Sequence, residues 1–465
     1  MKELPQTIFD VYALALPRGH GFGEQPPIGA WQSDDGHAFG VITRHVKSST
    51  FGILVMGRRV DHVWSKIEEM TDLATEEEAR LQLERGLSSG IPAVPMPANT
   101  ARRPALYDLG KRQPSDVFSL LTNRSHHIAA WMLNQLYLSL PAPDKNWAGD
   151  CQTRNFHTRL WEAQLLASFR EQGLLVTQPK TSPDFRIENR LGGVGWVEAV
   201  TANPKVPYDH VNAKQSSQPE SQEELFFGAA AVRYAKTLGN KIQKKYHELD
   251  HVAGDPFMIA IADFHAPASM VWSREALMGY LYGTGAHVRN INGKQTAVPM
   301  AATHLLGASA FPAGLFTNAD SSELSAVLFS NACSVAKLNR VGASAGADTQ
   351  GLRYTRIGNF FDRTPGALKG IPFCLDVTSE EYRYLWPLGY EPWTAELEVF
   401  HNPHARNTVR KDLLPEATHW FEKDGEIVSE SYYETSVLWS QTLIQNIEDP
   451  MPTLDDLVLG GAQKK

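Results

Sequence analysis

Apolar and polar positions alternate through residues 38 to 64, in the runs AFGVITRHV and TFGILVMGRRVDHVW, with Lys47-Ser48-Ser49 between them. Alternation at period two gives each run one face to bury, so the pattern predicts a β-hairpin. The acidic stretch from Ser65 to Gly86 is read as a helix stopped by glycine. Four prolines in SSGIPAVPMPANTARRP mark a linker and set the first boundary near residue 100. Residues 1–100 are thus expected to form a small α+β domain, and 101–150 a linker and helical connector. Helical periodicity runs from Ser115 to Leu140, breaks at PAPDKN, and resumes from Thr153 to Gln172, where Gly173 stops it.

Short strands come next. LLVTQ (174–178), PDFRIEN (183–189) and GWVEAVT (195–201) are separated by turn-forming stretches, with Leu191-Gly192-Gly193-Val194 as a hairpin connection. A polar segment leads to a long helix expected over residues 225–249, and the apolar run PFMIAIADF reads as a buried strand. Another helix is expected beyond residue 270, with strand candidates at 324–332 and 395–403. Helix, three strands, helix, strand predicts an α/β fold with a mixed sheet over residues 151–465, and no internal repeat interrupts it.

Composition narrows the picture. The 465 residues, 42% apolar and 21% charged, suit a folded chain of two or three domains. With 44 Lys and Arg against 52 Asp and Glu the net charge is -8, so a nucleic acid needs a local basic surface. Cys151, Cys333 and Cys374 are too scattered for a disulfide framework, and no apolar run reaches membrane-spanning length, so a cytoplasmic protein without membrane contact is expected.

The chemistry gathers on the strand pair. Asp184 follows Pro183, and Glu198 lies across the predicted hairpin, so the two carboxylates reach one sheet edge. Paired carboxylates suit Mg²⁺ or Mn²⁺, which activates water toward a phosphodiester. Glu162 adds a third carboxylate at helical spacing with Leu165, Leu166 and Phe169. This arrangement resembles the PD-(D/E)xK, or restriction-endonuclease-like, nuclease superfamily, on Glu162, Pro183-Asp184-Phe185 and Glu198 within WVEAV. The resemblance covers residues 153–265 and, more loosely, the strands to about 410. It implies a restriction-endonuclease-like core with a mixed central sheet flanked by helices, followed by C-terminal strand additions. It also implies Asp184, Glu198 and Glu162 as metal ligands, and nucleic acid, DNA first, as substrate in bacterial defence or nucleic-acid processing.

Val200 stands where the family lysine belongs, so a cation must come from elsewhere. On the next helix the apolar stripe is Ala231, Tyr234, Leu238, Ile242 and Leu249, with Lys245 inside it and Lys241 at its border. Lys241 is the expected catalytic lysine and Lys245 its substitute. Lys236 and Lys244 are expected to point outward and, with Arg233, to track phosphates.

Two other readings compete. Loss of the lysine allows an inactive nuclease fold kept as a binding scaffold. His247-Glu248-Leu249-Asp250-His251 matches the H-E-x-x-H pattern of zinc proteases, although its histidines fall opposite the core stripe and the helix is expected to end there. His401-Asn402-Pro403-His404-Ala405 reads as a strand-ending turn without a role. Trp31 and the basic Arg58-Arg59 pair are read as an exposed N-terminal tip for a protein partner or a second copy.

Overall fold

In a computed structural model, described over residues 1–14, 22–88, 94–317, 319–364 and 367–454, the chain opens with an antiparallel five-stranded sheet. Its strands β1 (Lys2–Leu4), β2 (Pro27–Gln32), β3 (Ala38–Arg44), β4 (Phe51–Arg58) and β5 (Trp64–Leu73) lie side by side in chain order. Helix α1 (Gln6–Leu14) covers one face, over Phe39, Val41, Leu54 and Trp64, and α2 (Glu76–Gly86) covers the other, over Ile42, Ile53 and Val55. The β3–β4 hairpin stands where alternation places it, with Ala38 opposite Gly57 and Arg44 opposite Phe51.

Two expectations fail in this region. Residues 64–73 form a strand, not the start of a helix, because pairing with β4 from Arg58↔Trp64 to Phe51↔Leu73 outweighs the helical preference of Lys and Glu. Their charged side chains occupy an exposed edge, where strands tolerate them. The helix begins only at Glu76, capped by the Thr75 hydroxyl, which accepts from the Glu78 N–H at 3.1 Å. The expected basic tip is also absent: Trp31 is buried beside α2, Arg58 stacks on Trp64 at 3.9 Å, and Arg59 binds Asp61 through two bonds of 2.9 and 2.6 Å.

Helices α3 (Asp116–Leu120), α4 (His127–Ser139), α5 (Trp147–Gln152) and α6 (Phe156–Glu171) follow. The helices of the 101–150 connector pack into the body of the fold. Leu106, Phe118, Met132, Leu136 and Trp147 enter the same buried cluster as α6 and the main sheet.

That sheet has eight strands, preceded in the chain by α6 and built from β6 (Leu175–Thr177), β7 (Phe185–Glu188), β8 (Val194–Ala202), β9 (Phe257–Asp263) and later strands. Between β8 and β9 run α7 (Gln222–Phe227) and α8 (Ala229–Ile242), and α9 (Arg274–Tyr282) follows β9. Two hairpins come next, β10 (Thr284–Ile291) with β11 (Lys294–Ala301) and β12 (His304–Leu305) with β13 (Ala308–Pro312). Then come β14 (Ala326–Ser330), α10 (Val335–Ser344), β15 (Leu352–Phe360), β16 (Ile371–Asp376), α11 (Glu380–Tyr384), β17 (Leu397–His401), β18 (Thr418–Lys423), β19 (Glu426–Ser431) and β20 (Val437–Asn446).

In space the order is β19-β18-β17-β14-β9-β8-β7-β6, with a separate sheet β16-β15-β20. Pairs β8/β9, β9/β14 and β17/β18 are parallel and the other pairs antiparallel, so the sheet is mixed. Val197, Ala199, Met258 and Ala260 face α4 and α6, while Val200, Ala202, Ile259 and Ile261 face α8 and α9.

The long helix expected over 225–249 is three pieces. Gly228 leaves helical geometry between α7 and α8, and α8 ends at Ile242. Lys245 takes a left-handed φ of 52°, and Tyr246–Glu248 is one 3₁₀ turn. Helical phase computed across that break assigns faces that the chain does not have.

Candidate active site at an open strand edge

The site exists because β7 is short. It pairs with β8 only from Val194 to Val197, so the remainder of β8 has a strand neighbour, β9, on one side only. At the point of divergence the Asp184 carboxylate takes over from the strand, accepting the Ala199 N–H at 2.7 Å. This puts Asp184 next to Glu198, whose side chain lies on the α8 face of β8. Asp184 and Glu198 therefore share one edge, as the hairpin spacing predicts.

Glu198 is buried, and its Oε1 accepts from Lys241 Nζ at 2.6 Å and from the Tyr246 hydroxyl at 2.8 Å. Its Oε2 is buried and has no hydrogen-bond partner. A carboxylate oxygen in that position normally carries a free-energy cost unless a donor or cation meets it. Burial, and after it the charge of Glu198, holds the Asp184 carboxyl well above the ordinary carboxylate range. Glu162 also contributes to that shift from α6. Its own oxygens are already taken: Trp147 Nε1 donates at 2.7 Å and Arg159 at 2.9 and 3.0 Å, while Arg159 also binds Asp144 and Asp150.

Lys241 thus stands at the site, one residue before α8 ends at Ile242. Lys245 does not: it is exposed beyond the helix and pairs with Glu248 at 2.7 Å. Lys244 is likewise exposed. Lys236 is not an outward residue, since it lines the clefts beside α8 and its Nζ lies 5.4 Å from the centre of the Phe311 ring. Arg233, half-buried, lines the same clefts. A cleft reached by Lys241 has a volume of about 320 Å³ and is bounded by Thr158, Val200, Thr201, Arg233, Thr237 and Lys241. A Thr158–Thr201 hydroxyl contact of 2.9 Å ties α6 to the open edge of β8. Val200 is buried among apolar side chains and supplies no polar group.

Among the described residues no group of three or more His, Cys, Asp and Glu side chains stands ready to hold a metal ion. The residues that fit one are the pair Asp184 and Glu198, through the unpartnered Glu198 Oε2; Glu162, saturated by Arg159 and Trp147, does not complete a trio. The H-E-x-x-H segment is not an α-helix: the 3₁₀ turn ends at Glu248 and Leu249 is extended, so its histidines are not stacked one α-helical turn apart. His251 instead meets the Ser182 carbonyl at 2.9 Å and packs on Trp196 at 5.0 Å, and Glu248 is occupied by Lys245. Asn402 serves as a local tie, donating to the carbonyls of Ser321 and Leu324.

Sequence reasoning missed Tyr246, Arg159 and Trp147. Tyr246 lies past the helix end, where periodicity says nothing. The Arg159–Glu162 spacing of three residues was a readable signal for an ion pair. Comparison with family models, curated proteins and solved structures finds no match to this chain. No described helix is long and apolar enough to cross a membrane.

Proposed function

We propose that the chain is a divalent-metal-dependent nuclease, hydrolysing phosphodiester bonds of nucleic acid, with DNA the first substrate to test and cytoplasmic defence or nucleic-acid processing as its setting. The observation that carries this is the meeting of Asp184, Glu198 and Lys241 at the one-sided end of β8, beside a cleft lined by cations. Asp184 and Glu198 would hold Mg²⁺ or Mn²⁺, which supplies Lewis-acid activation of water when bound. Glu198 orients Lys241 through one of the three ammonium hydrogens, leaving two to meet water or a phosphate oxygen in the cleft that Lys241 lines. Tyr246 fixes the same carboxylate oxygen, so Glu198 holds its lysine in one geometry. Lys241 supplies the charge that Val200 lacks.

Cleavage of labelled DNA and RNA with Mg²⁺ or Mn²⁺ tests the reading. Asp184→Asn and Glu198→Gln are each expected to lower the rate by about a hundredfold or more, and chelation by EDTA to abolish it. A wild-type chain that cleaves neither nucleic acid with any divalent ion refutes it. The inactive scaffold then takes its place, a reading favoured by the lack, among the described residues, of a third free carboxylate at the site.

A further inference from the structure

Along β8 and β9, beyond the carboxylates, lies a second polar arrangement that the proposed hydrolysis does not use. Asp263 ends β9 opposite Ala202, four residues past Glu198, hence about 13 Å away at ~3.3 Å per residue. Its buried carboxylate meets His265 Nδ1 at 2.8 Å through both oxygens and also accepts from the Ser269 hydroxyl at 2.7 Å. Because an ionised carboxylate only accepts, Nδ1 carries the hydrogen and the ring is held in one orientation. Trp272 packs edge-on against it at 5.5 Å. The other ring nitrogen, Nε2, has no hydrogen-bond partner among the described residues, and His265 lines a cleft of about 660 Å³.

Arg233 and Lys236 line this cleft and the smaller one that Lys241 also lines, so the two meet along α8. Arg233 is half-buried, pairs with no carboxylate among the described residues, and keeps its Nε buried without a partner. A guanidinium so placed bears a desolvation cost that a bound anion would relieve, and its planar fork matches a phosphate. Val206, Val232 and Leu306 add apolar wall on which a base can rest. The volume suits one small-molecule-sized unit. A nucleotide inside a duplex would have to leave its stack to enter.

We propose that the two clefts form one channel for a single polynucleotide strand, in which Arg233 binds the phosphate adjoining the scissile one and His265, oriented by Asp263, contacts the next sugar or base. This rests on the nuclease reading for its substrate, but it is tested by binding alone. The probe is a fluorescein-labelled oligonucleotide, single-stranded or annealed to its complement, titrated with the full chain by anisotropy in EDTA. Single strand is expected to bind about tenfold or more tightly than duplex. Arg233→Gln should weaken binding about tenfold and lower the log-log salt slope by about one. His265→Gln should weaken it roughly threefold, a loss of one hydrogen-bonded contact. Arg233→Lys keeps the charge without the fork and should fall between wild type and Arg233→Gln, which separates lost recognition from lost folding. Equal affinity for duplex, no binding of either form, or unchanged binding by both Arg233→Gln and His265→Gln overturns the channel even where the wild type cleaves. Binding as expected without any cleavage under metal overturns the nuclease reading and leaves the channel standing.

Discussion

At Glu198 one side chain carries opposite demands. Buried, it needs compensation, and Lys241 and Tyr246 give it through a single oxygen, leaving the other buried without a partner. Tyr246→Phe removes one donor and keeps the ring, so we expect a stability loss of about 1 kcal/mol and a measurable fall in cleavage rate under fixed metal. Lys241→Gln is expected to lower cleavage about a hundredfold. It should also lower the melting temperature, because Glu198 then loses its only charged partner among the described residues. Protonation adds a second prediction. Burial pulls His157 and His401 down to about 3, so both are neutral in the folded chain near pH 7. The unfolded chain binds their protons from about pH 6.5 downward, so stability is fully present above that value and falls progressively toward pH 3. Urea midpoints at pH 7.5 and 5 should differ in that direction, and His157→Phe should shrink the difference. An unchanged midpoint between the two pH values would contradict it.

Among the elements, α10 shows how charge is used inside this fold. Its Lys337 and Arg340 are buried against Glu391 and Glu396, and Arg356 of β15 joins them, three cations with two carboxylates. Tyr382 of α11 hydrogen-bonds both Arg356 and Glu391. Such a cluster fixes how α10, β15 and the segment before β17 sit together, because each charge is costly to bury without the others. Glu396→Ala leaves Lys337 and Arg356 undercompensated, and chemical denaturation should show a loss of about 3–5 kcal/mol. Where helices meet closely the constraint is volume. A Cβ on Gly279 of α9 would stand 2.2 Å from the Phe226 carbonyl oxygen of α7, so Gly279→Ala must push the two helices apart. The expected cost is roughly 1–3 kcal/mol, read as a lowered melting temperature.

On the scale of the molecule, the N-terminal sheet is joined to the body through Gln135 of α4, whose Oε1 accepts from Arg58 at 3.2 Å and from Trp64 Nε1 at 3.3 Å. Of the residues that looked like a docking tip, Arg58 is thus part of an internal contact. Gln135→Leu keeps the bulk but removes the acceptor that Arg58 and Trp64 share, so hydrogen exchange in β3 to β5 should quicken while the eight-stranded sheet stays protected. Uniform exchange in wild type and variant would show that the sheet is held by other contacts. The negative charge of the whole chain sets a further limit. With a net charge of -8, the proposed polyanion affinity would have to come from the local set Lys205, Arg233, Lys236 and Lys241 beside α8.

Local pattern by itself determined the β3–β4 hairpin, α6, the presence of the strands β6 to β9, and the β7–β8 pairing that brings Asp184 beside Glu198. Those features depend on neighbours in sequence, and alternation at two or recurrence near 3.6 records them. It did not determine where structure gives way. β5 is a strand because β4 offers it hydrogen bonds, α8 stops because Lys245 turns left-handed, and the sheet β16-β15-β20 and α10 depend on partners far along the chain. The site divides along the same line. Asp184, Glu198 and Lys241 were legible as residues, whereas Tyr246, the saturation of Glu162 by Arg159 and Trp147, the displacement of Lys245, and the His265 cleft arise only when separate segments converge. Burial and charge pairing act between surfaces, and which surfaces meet is decided by the folded chain.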